Sequence, residues 1–227
     1  MQTLLIVAIA VILMLAAASH AGQPTASVNY SKADDLEKTA PDNFAGNTVD
    51  KKVEKRNASL AMIAEEVLKN HFAGKDKRKL SRMSVEYQIP ENYKQSRGLF
   101  VTFYKNGKTR ACWGSVEPIH ENLVKAVIYT AEDALAKEYR HEPISKDEID
   151  SIDVQVTVIN EINSIHSYRE LNPLHDGLMV RGSGKGAVIL PGEASDPHYQ
   201  IVMARSKAGL QANQPCQLYR LSTDVYR

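Results

Sequence analysis

Residues Gly98–Pro118 read GLFVTFYKNGKTRACWGSVEP, and the reading of this stretch decides the fold class. Leu99–Tyr104 is rich in β-branched and aromatic side chains, which suit a pleated, half-buried surface, so it is expected to form a strand. Asn106-Gly107 follows, the dipeptide that best tolerates the positive φ angles of a type I′ turn. Lys108–Trp113 then runs back antiparallel, the return strand ends at Gly114, and Ser115-Val116-Glu117-Pro118 leads into a helix. On this reading Cys112 sits at a strand end near a helix start, where backbone N–H groups favour anions and thiolates.

Upstream, Leu60, Ile63, Ala64, Val67, Leu68 and Phe72 recur at three- and four-residue steps, predicting a helix from about Lys52 to Phe72. The basic cluster Lys75–Lys79 after Gly74 reads as a solvated helix end and loop. Downstream, Pro118 suits a first helical position, and Ile119, Leu123, Val127, Ala131, Ala134 and Leu135 make the buried stripe of a helix over about Ile119–Arg140. Ser145-Lys146-Asp147-Glu148 has the form of a capping box opening a short helix. Ile152, Val154, Val156 and Val158 alternate with polar residues, which predicts a strand with one buried face.

Leu178–Val180 and Ala187–Leu190 bracket Gly182-Ser183-Gly184-Lys185-Gly186, a second hairpin. Ser195-Asp196-Pro197 caps a helix running to about Ala208, with Gly209 as its stop, and Cys216–Leu221 is a closing strand. Hairpins mixed with helices, without strict strand–helix alternation, predict an α+β fold with mixed, largely antiparallel sheets and packed helices.

The ends carry different information. Leu4–Ala18 is an uninterrupted apolar run followed by the small residues around Ser19-His20-Ala21. It is shorter than the roughly 18 or more residues of a membrane span and fits a cleaved signal peptide over residues 1–21, although Met1-Gln2-Thr3 lacks Lys and Arg. The alternative is an uncleaved anchor, the one case in which a membrane is a partner. Either way the rest of the chain is expected outside the cytoplasm, periplasmic or secreted. Residues 22–50 are polar and aperiodic and read as a flexible linker, leaving 51–227 as the folded domain. Asn29-Tyr30-Ser31 and Asn57-Ala58-Ser59 match the glycosylation pattern.

The net charge of +1 and the lack of a basic block argue against nucleic acid as a partner. The glycine-rich turn is no phosphate loop, because Met179 occupies the first glycine position and Gly186 follows Lys185. The seven histidines lack ligand spacing, so neither metal nor cofactor is expected. That leaves Cys112, for which three readings stand open: a disulfide with Cys216, a thiol activated by Arg110 and the helix start, or an inert buried thiol. Glu117 is a general acid or base, or simply a charge at a helix N-terminus.

From about Lys52 to Arg227 the chain resembles the AMMECR1 family. Members carry a signature near Leu-Arg-Gly-Cys-Ile-Gly, then a small residue, an apolar residue and Glu-Pro. This chain has Thr109-Arg110-Ala111-Cys112-Trp113-Gly114, then Ser115-Val116-Glu117-Pro118. A second family segment, close to His-Gly-Leu-x-Val-Arg with a later Leu-Leu-Leu-Pro, is matched by His175–Arg181 and Val188-Ile189-Leu190-Pro191. Lys207-Ala208-Gly209-Leu210 and Leu218-Tyr219-Arg220-Leu221 resemble the family's C-terminal end. Ala111 replaces a glycine, Trp113 a smaller aliphatic residue, and Gly192 a frequent Gln.

The resemblance implies an α+β fold whose cysteine motif lines a cleft, and no settled reaction. For microbial members it implies work alongside a Memo-like protein and a radical-SAM protein, from which an exported chain would be separated. Two functions follow as expectations. One is a cleft-bearing binding or scaffold module with an unidentified ligand or protein partner, its surface formed by Trp113, Gly114, Ser115 and Arg181. The other is a cysteine-dependent enzyme or redox protein. There Cys112 is the nucleophile, Arg110 lowers its pKa or binds an anion, His175 or His120 is the base, and Glu117 orients a partner group.

Overall fold

The structure is a computed structural model that describes residues 55–227. The expected signal segment, the linker and residues 52–54 of the expected first helix lie outside the described residues. The order is α1 (Leu60–His71), α2 (Leu80–Glu86), β1 (Leu99–Lys105), β2 (Lys108–Ser115), α3 (Leu123–Lys137), β3 (Asp153–Ile165), β4 (Gly177–Gly182), β5 (Lys185–Ile189), α4 (Pro197–Lys207) and β6 (Gln217–Tyr226). The six strands form one sheet in the order β2-β1-β3-β6-β4-β5, every neighbouring pair antiparallel. The α+β class is therefore as expected.

The larger core lies where α1 and α3 pack on β1–β3. Leu60, Ile63 and Val67 of α1 and Val124, Val127 and Ile128 of α3 meet Val101, Phe103 and Val156. Each such side chain, fully buried, contributes roughly 1.5–3 kcal/mol. A second core joins Ile201 and Ala204 of α4 to Leu178, Val180 and Ile189 of the β4–β5 hairpin. A small third cluster links the two ends of the sheet through Ile159, Met179 and Leu221, with Phe100, Val116 and Val188 packed against it.

The Asn106-Gly107 turn forms as expected, with φ of 52° and 72°. Several boundaries differ from the sequence reading, each for a local reason. Helix α1 starts at Leu60, not near Lys52, because Ser59 is extended and its hydroxyl accepts the Met62 N–H. Arg56 is instead bridged to Tyr87, donating its N–H to the Glu86 carbonyl. The basic cluster is no plain solvated loop. Arg78 pairs with both Glu66 and Glu86, Lys77 pairs with Glu132, and the unexpected α2 follows.

Helix α3 starts at Leu123, not Ile119, because Asn122 caps it by accepting the Lys125 N–H. Ile119 is accordingly 73% exposed and is not part of the buried stripe. The helix stops at Lys137, so Arg140 lies beyond it. Strands β3 and β6 run past their expected ends because they pair with each other along most of their length, from Val156 opposite Tyr226 to Ile165 opposite Leu218. The expected capping box is present: Glu148 accepts the Ser145 N–H at 3.0 Å and opens a short 3-10 helix over Lys146–Ser151.

Candidate functional site

Strands β2 and β5 are the two edges of the sheet, yet they line the same cleft, so the sheet must curl to bring its ends together. The cleft has a volume of about 460 Å³. Cys112, Trp113, Gly114 and Ser115 form its β2 wall, and Gly186, Ala187 and Val188 form its β5 wall. Phe100 and Met179 add apolar surface, while Arg140, Arg181 and Lys207 supply cations. Cys112, Arg140 and Lys207 also border a neighbouring cleft of about 620 Å³ that holds Tyr104, Glu193 and Tyr199. Cys112 thus stands on the shared wall of two adjoining spaces.

Its neighbours follow from the strand period and from one interruption of it. Side chains alternate across a sheet, so Ala111 faces the large core while Cys112 faces the clefts. Phe103 stands opposite Ala111 but Tyr104 stands opposite Thr109, which leaves Arg110 as the extra residue of a β-bulge. The bulge breaks the two-residue period that would have put Arg110 beside Cys112. Arg110 binds Glu148 instead, its Nη2 donating to Oε2 at 3.0 Å and its Nε to Oε1 at 3.2 Å. The expected activation of the thiol by Arg110 is therefore corrected.

The expected activation by a helix start is corrected too, since α3 begins only after Asn122. What meets Cys112 is the segment leaving the far end of α3. The Glu138 carboxylate accepts the Cys112 N–H at 3.1 Å, and Arg140 Nη2 donates to the Cys112 carbonyl at 3.0 Å. Arg140 and Glu138 also pair with each other, Nε donating to Oε1 at 2.8 Å. Burial alone would push the Glu138 carboxyl up, but the hydrogen bonds from Arg140 and Cys112 outweigh it and hold the group at about 2.

Cys112 is buried, 8% exposed as a whole residue. Burial pushes its pKa up, and the nearby Glu193 charge adds to the rise. The Thr102 hydroxyl donates to Sγ at 3.2 Å and, with Lys207 and Arg140, opposes the shift without reversing it. Cys112 and Cys216 are both free thiols, which corrects the disulfide reading. The reason is topological: Cys216 precedes β6, and strands β1 and β3 lie between β6 and β2.

The remaining expected site residues scatter. His175 is exposed in the turn before β4, its N–H donating to the Asn172 carbonyl, and it lines neither cleft around Cys112. His120 stacks on Tyr129, centroids 5.2 Å apart, in a cavity of about 320 Å³ beside α3 that Trp113, Gly114 and Ser115 also line. Glu117 borders that cavity and pairs loosely with Arg181 at 3.8 Å, with both groups exposed. Of the expected binding residues, Trp113, Gly114, Ser115 and Arg181 do come together in the cleft. Among the described residues no group of His, Cys, Asp and Glu is arranged to hold a metal ion, and no helix is long and apolar enough to cross a membrane.

Sequence reading missed Glu138, Arg140 and Lys207. All three fall in or just beyond expected helices, and the packing of α3 on β2 and of α4 on β5 carries them to Cys112 and Val188. The family departures are also placed. Ala111 packs in the large core, away from the cleft, so its Cβ does not obstruct a ligand. Trp113 packs against that core while bordering the cleft, and Gly192 has φ of 83°.

The fold and motifs have counterparts. A protein of Methanothermobacter thermautotrophicus is 31% identical over 179 residues, covering 74% of this chain and 88% of its own length. One from Thermotoga maritima is 30% identical over 144 residues, covering 61% and 83%. The crystal structure of the uncharacterized protein PH0010 from Pyrococcus horikoshii shares the fold, with a TM-score of 0.62 at 21% identity over 73% of this chain and 88% of that one. The AMMECR1 family model matches residues 61–227, a span that holds the cysteine motif, both edge strands and the closing strand. On that match, the chain belongs to the AMMECR1 family.

Proposed function

We propose that this domain is a binding module whose cleft between β2 and β5 takes an anionic ligand with an apolar portion. The carrying observation is the cleft's charge. Arg140 is neutralised by Glu138, and Arg181 is loosely paired with Glu117. Lys207 donates only to the Val188 carbonyl, at 2.8 Å, and has no carboxylate partner among the described residues. A cation beside Phe100, Met179 and Val188 suits a carboxylate or phosphate attached to an apolar group. Titration of the full chain with hexanoate and with hexyl phosphate, followed by calorimetry, tests this reading. Binding that weakens in Lys207→Gln supports it, and no heat for either compound at millimolar concentration removes it.

A second reading, that Cys112 is a nucleophile, draws on its place on the wall of both clefts near Arg140 and Lys207. The upward shift of its pKa weighs against it. We also place the domain outside the cytoplasm, on the strength of the Leu4–Ala18 run. Cell fractionation with N-terminal sequencing tests that placement, and a cytosolic chain beginning at Met1 would refute it.

A further inference from the structure

The cleft is bounded by two sheet edges, and an edge strand presents a row of backbone groups that no neighbouring strand pairs. The hydrogen bonds show which groups point into it. On β2 the Cys112 N–H and carbonyl reach out to Glu138 and Arg140, and on β5 the Val188 carbonyl reaches out to Lys207. Antiparallel pairing alternates inward and outward groups with a two-residue period, so the backbone groups of Gly114 on β2 and Gly186 on β5 point the same way. Among the described residues neither glycine has a hydrogen-bond partner beyond its own hairpin. Charged side chains thus cap each edge at one point and leave a neighbouring glycine uncapped. A glycine also lets another backbone approach closely.

From this we infer that the cleft receives an extended acidic peptide of a partner protein, which adds as a strand along β2 or β5 and sets a carboxylate against Lys207. This deepens the anion-binding reading and rests on it. The β2 wall runs from Cys112 to Ser115, about 13 Å of extended chain. The backbone of the guest would pair with Gly114 or Gly186, while alternate side chains pack on Phe100, Trp113 and Met179. Charge complementarity fixes the sign of the guest: Lys207 and Arg181 favour a carboxylate, and Glu193 stands on the far side of Cys112, in the adjoining space.

The probe is a pool of N-acetylated pentapeptides, degenerate at the first four positions and ending in Glu with a free C-terminal carboxylate. It is titrated into the ¹⁵N-labelled full chain and followed by the amide signals of Gly114, Gly186 and Val188. The expected result is a shift of one edge's amides and no binding by the same pool with N-methylated backbones. Affinity should also fall about tenfold in Lys207→Gln, which keeps a donor for Val188 while removing the charge. N-acetylglutamate alone separates the two levels of the argument. If it binds as tightly as the pool, or if N-methylation makes no difference, strand addition is overturned while anion binding stands. If neither pool nor N-acetylglutamate shifts any cleft amide, both fail. Amide shifts that appear on concentrating the free chain, with dimers by sedimentation, would assign the edges to a second copy instead and overturn the peptide.

Discussion

The Glu138 carboxylate accepts the Cys112 N–H at 3.1 Å, so a side chain stands where the carbonyl of a further strand would otherwise sit. Arg140 completes the substitution at the Cys112 carbonyl. An unpaired edge invites aggregation, and charged side chains are a usual way of closing one. Here the closure is confined to one residue, and it is the same residue that carries the thiol.

This clamp should fail in acid. The Glu138 carboxyl is held at about 2 against an ordinary value of 4.5. A depressed carboxylate contributes stability above its unfolded pKa, and that contribution is lost as pH falls through the folded pKa. Glu138→Gln is therefore expected to cost on the order of 3 kcal/mol at pH 7, with the difference from the parent chain shrinking between about pH 4.5 and 2. Urea melts across that range measure it.

Cys112 should be a poor nucleophile. Burial raises its pKa, so iodoacetamide at pH 7.5 is expected to label the half-buried Cys216 first and Cys112 only slowly, its rate still rising above pH 9. Intact mass with peptide mapping reads both sites. Fast labelling of Cys112 at neutral pH would contradict the account. Cys112→Ser should leave anion binding in the cleft within about threefold of the parent chain, because the charge that recognises the anion is on Lys207 and serine keeps a small polar side chain beside Thr102.

Gly114 should tolerate no side chain. A Cβ there would lie 2.3 Å from the Leu99 carbonyl oxygen and 2.5 Å from a Phe100 ring carbon, so β1 and β2 would have to separate. Gly114→Ala is expected to cost about 3 kcal/mol or more, or to prevent folding. Gly107→Ala meets no neighbouring atom and suffers only from its φ of 72°, so about 1–2 kcal/mol is expected. Paired denaturation curves compare the two.

The Glu66 network is the other electrostatic feature of the fold. Burial would raise the Glu66 carboxyl, but hydrogen bonds from Arg56, Tyr87 and Arg78 bring it to about 2. Glu66→Gln leaves two guanidinium groups short of their partner and should destabilise the α1–α2 region by about 1–3 kcal/mol. Tyr87→Phe removes only the hydroxyl and should cost about 1 kcal/mol. Hydrogen exchange in α1 and α2 distinguishes this local loss from a global one.

Much of the fold was legible in short-range signals. Asn106-Gly107 and the Asp196-Pro197 cap each encode their own geometry, and both elements formed where expected, whereas the alternation from Ile152 marked a strand but not one buried face, because Gln155 and Thr157 are buried as well. Boundaries were less legible where the deciding group was a polar side chain. Asn122 moved the start of α3 and Ser59 that of α1, because one capping hydrogen bond outweighs a few residues of apolar period. The site was the least legible. Trp113, Gly114, Ser115 and Arg181 do line one cleft, but the neighbours of Cys112 come from residues 138 and 140, beyond the end of α3, and from residue 207 of α4, which no local pattern links to it. His175 and Arg110 looked suitable by type and spacing, and tertiary placement sent both elsewhere.

The bulge at Arg110 has a genetic consequence. It is one codon long, and it leaves the phase of β2 intact, since Thr109 and Ala111 face opposite sides as their partners Tyr104 and Phe103 do. An in-frame deletion of that codon would join Thr109 to Ala111 in strict pairing and keep Cys112 on the cleft wall. The loss would fall on Glu148, left with Lys105 as its cation partner. A lineage could thus shed the bulge in a single mutational event without turning any residue of the cleft.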